Sequence, residues 1–170
     1  MDIVYTPIGY FRTPHVDVKG MPIQPVGADG IFGSIVVEEQ FVPGLEDLDG
    51  FSHVIVLYHL HEIRGYDLTV TPFLDTHPHG IFATRSPKRP NPIGISVMRL
   101  HNVQGNTVNL ECVDVLDGTP VIDIKPYVPR FDVWEAERVG WFAGKAQNAT
   151  HHRSDGRFAA EQLASDPHDS

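Results

Sequence analysis

The stretch FSHVIVLYHLH, residues 51–61, alternates so that Val54, Val56, Tyr58 and Leu60 share one face and Ile55, Leu57, His59 and His61 share the other. Both faces stay apolar until the end, which predicts a central strand whose polar residues, His59, His61 and Glu62, gather where it exits. Further strands are expected at residues 3–11, with Gly9 as a possible bulge, and at 31–37, 68–72, 81–84, 93–100, 107–115 and 121–124. Gln104-Gly105-Asn106 joins two of them as a hairpin, and Asp117-Gly118 is a tight-turn pair before the last.

Between these runs the chain is broken by turn residues. Residues 12–29 hold Pro14, Pro22, Pro25, Gly20 and Gly27 and read as loop; 41–50 read as loop with one helical turn. After Pro126 the pattern becomes irregular, with Trp134, Trp141 and Phe142 available to pack back onto the body. Residues 158–164 suit one or two helical turns, and 166–170 a frayed end. There is no repeat and no linker. Short strands with hardly any helix predict a mainly β fold, a small closed or nearly closed antiparallel barrel with short helical turns and an irregular C-terminal segment. The expected division is a barrel domain over 1–147 and a tail over 148–170. Strand–helix alternation is missing, and so is a Gly-x-Gly-x-x-Gly between strand and helix, which argues against a doubly wound nucleotide fold.

The chain has 170 residues, 15 glycines, 14 prolines and one cysteine, Cys112. One domain is expected, without an internal disulfide or a cysteine zinc site. The N-terminus lacks the basic-then-apolar pattern of a signal peptide, and residues 54–60 are too short an apolar run to span a bilayer. A soluble cytoplasmic protein is expected. The net charge of −9 argues against a general nucleic-acid binder, but it is unevenly spread. Residues 1–83 carry −8, residues 84–130 carry +2 and residues 131–170 carry −3, so positive charge gathers around Arg85, Lys88, Arg89, Lys125 and Arg130.

Residues 84–94, TRSPKRPNPIG, contain three prolines that fix three φ angles and restrict the residues before them. A stiff loop with three cations suits a carboxylate or phosphate, and Gly94 permits close backbone approach. The plain alternative is a stiff surface connection. Residues 117–127, DGTPVIDIKPY, feed a turn into a strand that carries Asp123 on a face distinct from that of Val121's neighbours. The plain alternative pairs Asp123 with Lys125 or Arg89. His59-x-His61-Glu62 and His77-x-His79 have metal-ligand spacing, as in a cupin-like enzyme, but a further Glu and a later His do not fall in place, and no metal is expected. His151-His152 reads as solvated.

At GIFATRSPKRPNPIG, residues 80–94, the chain strongly resembles the TsaA-like, or TrmO, family. The resemblance extends through LDGTPVIDIKPYVP, FSHVIVLYHLHE and IGYFRTP, over roughly residues 3–130. It implies a β-barrel methyltransferase that binds S-adenosylmethionine, works as a homodimer and methylates threonylcarbamoyladenosine in the tRNA anticodon loop. The chain stops soon after the barrel, where longer relatives add a C-terminal domain, so a short form is expected.

The family's cofactor contacts fall on Pro22, Ile23, Gln24, His61, Glu62, Arg85, Ile95, Asp117, Gly118, Thr119 and Pro120. Glu62 departs from the glutamine of many relatives. Arg85 would pair with the cofactor carboxylate, and backbone around Ile95 and residues 117–120 would read the adenine. Lys88, Arg89, Asn91, Lys125 and Tyr127 are the candidates for the acceptor, with Lys88 and Arg89 free to serve it or a dimer mate. Asp123 or a histidine is the candidate proton acceptor. Two alternatives remain: a non-catalytic S-adenosylmethionine-binding module, and a methyltransferase of small molecules.

Overall fold

The structure, a computed structural model, describes residues 1–17, 19–23, 25–145, 151, 153 and 154. Eight strands are found among them: β1 Gly9–Arg12, β2 Phe32–Val37, β3 His53–His59, β4 Thr69–Val70, β5 His79–Gly80, β6 Ile93–Gln104, β7 Thr107–Glu111 and β8 Pro120–Pro126. Six close into an antiparallel barrel in the order β1-β2-β7-β6-β3-β8, and β4 and β5 form a separate small ladder. The mainly β, closed-barrel expectation holds. The helical turns at residues 158–164 and the end at 166–170 lie outside the described residues.

The core fills the barrel with alternate residues: Phe11, Ile35, Val37, Val54, Val56, Met98, Val108, Leu110 and Val121 are buried. β3 lies between β6 and β8, and its inward row is Val54, Val56 and Tyr58. Its outward residues Ile55 and Leu57 are half-buried against the flanking strands rather than lost in a second core layer. Gly9 pairs regularly with Val37 and Val121, so it is not a bulge. It is needed because a Cβ there would strike the Val36 carbonyl. The β6–β7 hairpin turns on Gly105, whose φ of 60° at the first central position fits a two-residue hairpin turn.

Several boundaries moved for physical reasons. The first strand starts at Gly9, after Pro7, which has no N–H to give a ladder. Residues 81–84 curl instead of pairing: Ile81–Ala83 is a 3-10 turn whose Ile81 carbonyl accepts from the Thr84 hydroxyl at 2.8 Å. β7 stops at Glu111 because Cys112 adopts a left-handed backbone, φ 64°. A four-residue helix, α1 Pro129–Asp132, opens on Pro129. Trp134 does not pack back and is 85% exposed. The boundary expected at 147 falls outside the described residues. Beyond it, Ser154 pairs with Gly20 and Met21, and Arg153 bridges to Pro22. Part of the expected tail is thus tied to the body.

Candidate active site

Where β3 exits and β8 begins, one end of the barrel opens into a cavity of about 1070 Å³. Its walls come from distant parts of the chain: Pro22 and Ile23, His61 and Glu62, Arg85 and Ser86, Thr119, and Trp141 and Phe142. Tyr58, Ser96 and Asp114 also line it. The three stretches singled out for chemistry therefore meet in space. Gln24 lies outside the described residues.

The proline loop is held by its own cations. Arg89 Nη1 donates to three carbonyls, those of Thr84 (2.8 Å), Ile81 (3.2 Å) and Ser86 (3.2 Å). Lys88 pairs with Asp67 at 3.6 Å. Both side chains therefore serve the loop itself, Arg89 because a guanidinium satisfies a cluster of loop carbonyls that no ladder uses. Arg85 lies exposed on the cavity wall. Next to it the Ser86 hydroxyl is buried and has no hydrogen-bond partner among the described residues. An orphaned buried hydroxyl in a cavity wall is a place for a ligand's polar atom.

The exit of β3 meets the turn before β8. His61 Nδ1 lies 3.3 Å from the Thr119 hydroxyl, and His61 Nε2 lies 3.4 Å from Glu62 Oε1. In that turn Gly118 takes φ 74°, and Asp117 accepts from the Thr13 N–H at 3.0 Å. Asp117 thereby fastens the turn to the end of β1. Thr119 reaches the cavity; Asp117, Gly118 and Pro120 support it from outside the lining.

A further polar group of the cavity joins three strand and loop residues that the sequence did not single out. Ser96 Oγ donates to Asp114 Oδ1 at 2.8 Å, and the Tyr58 hydroxyl lies 2.9 Å from Ser96 Oγ. Ser96 has one proton and gives it to the carboxylate, so Tyr58 donates to Ser96. Burial raises the Asp114 carboxyl to about 7, against the Ser96 hydrogen bond, which lowers it. Burial, and then the Asp114 charge, push the Tyr58 phenol far above its ordinary value. The sequence signal was a pair of polar residues, Tyr58 and Ser96, in inward rows that are otherwise apolar.

Residues 139–145 close one side of the cavity. Trp141 Nε1 donates to the Ala83 carbonyl at 2.7 Å, and its ring stacks on His79 and Phe142 at 4.5 and 3.9 Å. Asp75 fixes the segment by accepting from Lys145 at 2.6 Å while also contacting His79 at 2.9 Å. Those contacts, Lys145 first, hold its carboxyl well below the usual carboxylate range. Its stabilising effect is present above the unfolded carboxylate value near 4 and fades as pH falls below it. Asp75→Asn should speed tryptic cleavage after Lys145 by roughly 3- to 10-fold at pH 7.5, with a melting temperature close to wild type. Peptide mass mapping over time reads this directly.

Other expected site residues stand elsewhere. A register shift between Leu57 and Tyr58 pairs Leu57 with Asp123 and Tyr58 with Val121, leaving Ile122 as an extra residue. That bulge turns Asp123 away from the barrel interior, which Val121 faces. Asp123 pairs with Lys125 at 2.6 Å and borders a smaller outer groove with Tyr5, Leu57, Ile93 and Ile122. Lys125 and Tyr127 lie toward the far end of β8, beside Ile55 and His53. The basic cluster of residues 84–130 is thus split between the two barrel ends. Asn91 is exposed on the loop, and Ile95 turns its side chain outward at the cavity's edge. Gly94 makes room for the Tyr58 ring, which a Cβ would overlap. Among the described residues, no three His, Cys, Asp or Glu side chains are grouped to hold a metal.

A wall that offers a guanidinium, an orphaned hydroxyl, two carboxylates and stacked aromatics suits a ligand with an acid, a cation and a planar ring. The profile of the tRNA-methyltransferase O N-terminal domain matches residues 10–133. A Pyrococcus abyssi protein named as a probable S-adenosyl-L-methionine-binding protein is 47% identical over 156 residues, 92% of this chain and 85% of its own. The mouse tRNA (adenine(37)-N6)-methyltransferase is 36% identical over 77% of this chain and 32% of its own. The crystal structure of TrmO from Pseudomonas aeruginosa superposes with a TM-score of 0.70 at 38% identity, covering 82% of this chain and 62% of that one. The chain belongs to the TrmO family, in the part that forms that family's N-terminal domain, and spans less than two thirds of the last two proteins.

Proposed function

We propose that this chain transfers the methyl group of S-adenosylmethionine to the N6-threonylcarbamoyladenosine nucleoside of a tRNA anticodon loop. As a TrmO-family member it is an S-adenosylmethionine-dependent methyltransferase; the acceptor is our inference. The observation that carries it is the convergence of Arg85, Ser86, His61, Glu62 and Thr119 on one cavity at the end of the barrel. Arg85 would hold the cofactor carboxylate, Ser86 Oγ a further polar atom, and Glu62 would favour its positive end. The bound cofactor supplies an activated methyl on a sulfonium. The chain's residues position the acceptor in line with it and exclude water. At about 1070 Å³ the cavity is at the upper end of the range for small-molecule sites, which leaves space beside the cofactor for a flipped nucleoside.

A homodimer is part of the proposal. Ile93, Ile95 and Val97 line up on the outer face of β6, all exposed, next to the exposed Tyr5 and the half-buried Leu57 of the outer groove. A contiguous apolar face of this kind suits a second copy. No helix among the described residues is long and apolar enough to cross a membrane, and a tRNA acceptor would place the work in the cytoplasm.

Incubation with methyl-labelled cofactor and bulk tRNA, followed by digestion to nucleosides, tests the reading. Label should appear in a methylated threonylcarbamoyladenosine. Label confined to a small metabolite would replace the acceptor, and tight cofactor binding without transfer would leave a binding module.

A further inference from the structure

Asp114 stands apart from the other ionisable groups of the cavity. Tyr58 is held protonated by burial. His61 is engaged by Thr119 and Glu62, Arg89 by three carbonyls. Arg85 cannot accept a proton. Glu62 sits at the mouth with its side chain 56% exposed. Asp114 alone is a half-buried carboxylate on the cavity wall, with no cation paired to it among the described residues. Its flanking residues Val113 and Val115 are anchored in the core, and the Tyr58–Ser96 chain fixes its carboxylate. An unpaired carboxylate kept in an apolar setting costs stability, and two inward hydroxyls spent on orienting it add to that investment.

We propose that Asp114 is the proton acceptor in methyl transfer, taking the proton of an amide- or urea-type N–H, with Ser96 and Tyr58 as its positioning residues. The inference rests on the methyltransferase reading of this cavity. As the acceptor nitrogen forms its bond to the methyl carbon, the carbon–sulfur bond breaks and its electron pair stays on sulfur, leaving a neutral thioether. The N–H proton passes to a carboxylate oxygen of Asp114, and the resulting acid returns it to water after the product leaves. A carboxyl titrating near neutrality matches this task, being ionised enough to act and basic enough to take a proton.

The charged and titratable groups lining the same cavity are Tyr58, His61 and Glu62 from β3 and its exit, and Arg85 and Arg89 from the proline loop. The pH dependence must therefore be traced to Asp114 by substitution. Asp114→Asn keeps shape and an acceptor for Ser96. It should fold at least as well as wild type at pH 8, where it removes a buried charge.

The first readout needs no methyl acceptor. With S-adenosylhomocysteine bound, carbon-detected NMR of the carboxyls should show Asp114 titrating near pH 7, and Ser96→Ala should move that midpoint upward, since the lost hydrogen bond favoured the charged form. Titration in the ordinary carboxylate range would overturn the proposal. The second readout uses tRNA. Wild-type kcat should rise about tenfold per pH unit below 7 and level off above it. Asp114→Asn should lose that limb and at least ~100-fold in kcat while its cofactor Kd stays within about threefold, and Asp114→Glu should restore part of the rate. A variant within threefold of wild type with the limb intact would overturn the proposal, as would a rate loss matched by an equal loss of cofactor affinity. A wild-type enzyme inactive on tRNA would refute the acceptor reading and leave Asp114 to be judged by its titration.

Discussion

Gly94→Ala should lose about 2–4 kcal/mol of stability, more than an alanine normally costs in a strand. The residue lies opposite Tyr58 in the β3–β6 ladder, and a Cβ there would overlap the phenol ring. That ring cannot simply step aside. It is buried, packs edge-on against Phe11 with centroids 5.8 Å apart, and its hydroxyl is bonded to Ser96. Moving it breaks the hydroxyl chain that orients Asp114, so methyl transfer should suffer together with stability. For a chain of this length the melting temperature should fall by about 5–15 °C. A second substitution, Tyr58→Leu, removes the ring that is struck. In the double variant the combined loss should be much smaller than the sum of the single losses, since the alanine then has no ring to strike. Additive losses in thermal unfolding would mean that Gly94 is required for another reason.

Arg85→Ala should weaken S-adenosylmethionine at least tenfold by calorimetry, with an unchanged fold. The side chain stands on the cavity wall, on a loop whose φ angles are fixed by Pro87, Pro90 and Pro92 and whose carbonyls are tied down by Arg89. Neither neighbouring cation is placed to replace it, because Lys88 stands outside the cavity lining and Arg89 is held by three loop carbonyls. Loss of one charge-assisted contact with the cofactor carboxylate is worth about 1.5–3 kcal/mol, which is roughly 10- to 150-fold in Kd. Arg85→Lys should fall between, since it keeps the charge and loses the fork. Unchanged affinity in the alanine variant would remove Arg85 from the cofactor site.

What could be read from the residues was mostly local. Alternation in residues 51–61 gave β3 and its inward row, Gly105-Asn106 gave the hairpin, and strand spacing without helices gave a closed barrel. The stiffness of the proline loop was also legible. What the cations in it do was not, because Arg89 is claimed by carbonyls that become neighbours only when residues 81–86 curl. Asp123 stands outside the cavity for a similar reason. A strict two-residue period carries it inward with Val121, and one bulged residue, Ile122, reverses it. Asp114 looked like an ordinary polar residue between two valines. Its role needs Ser96 from a strand 18 residues away and Tyr58 from another 38 residues before that.

The cofactor should occupy the barrel-end cavity, and a crystal structure with S-adenosylhomocysteine tests that most directly. Density should fill the space between Pro22, His61, Arg85, Thr119 and Trp141, with the ligand carboxylate within hydrogen-bond reach of Arg85 and a polar ligand atom on Ser86 Oγ. Density in the outer groove beside Tyr5, Leu57 and Asp123, with the cavity filled only by water, would contradict it.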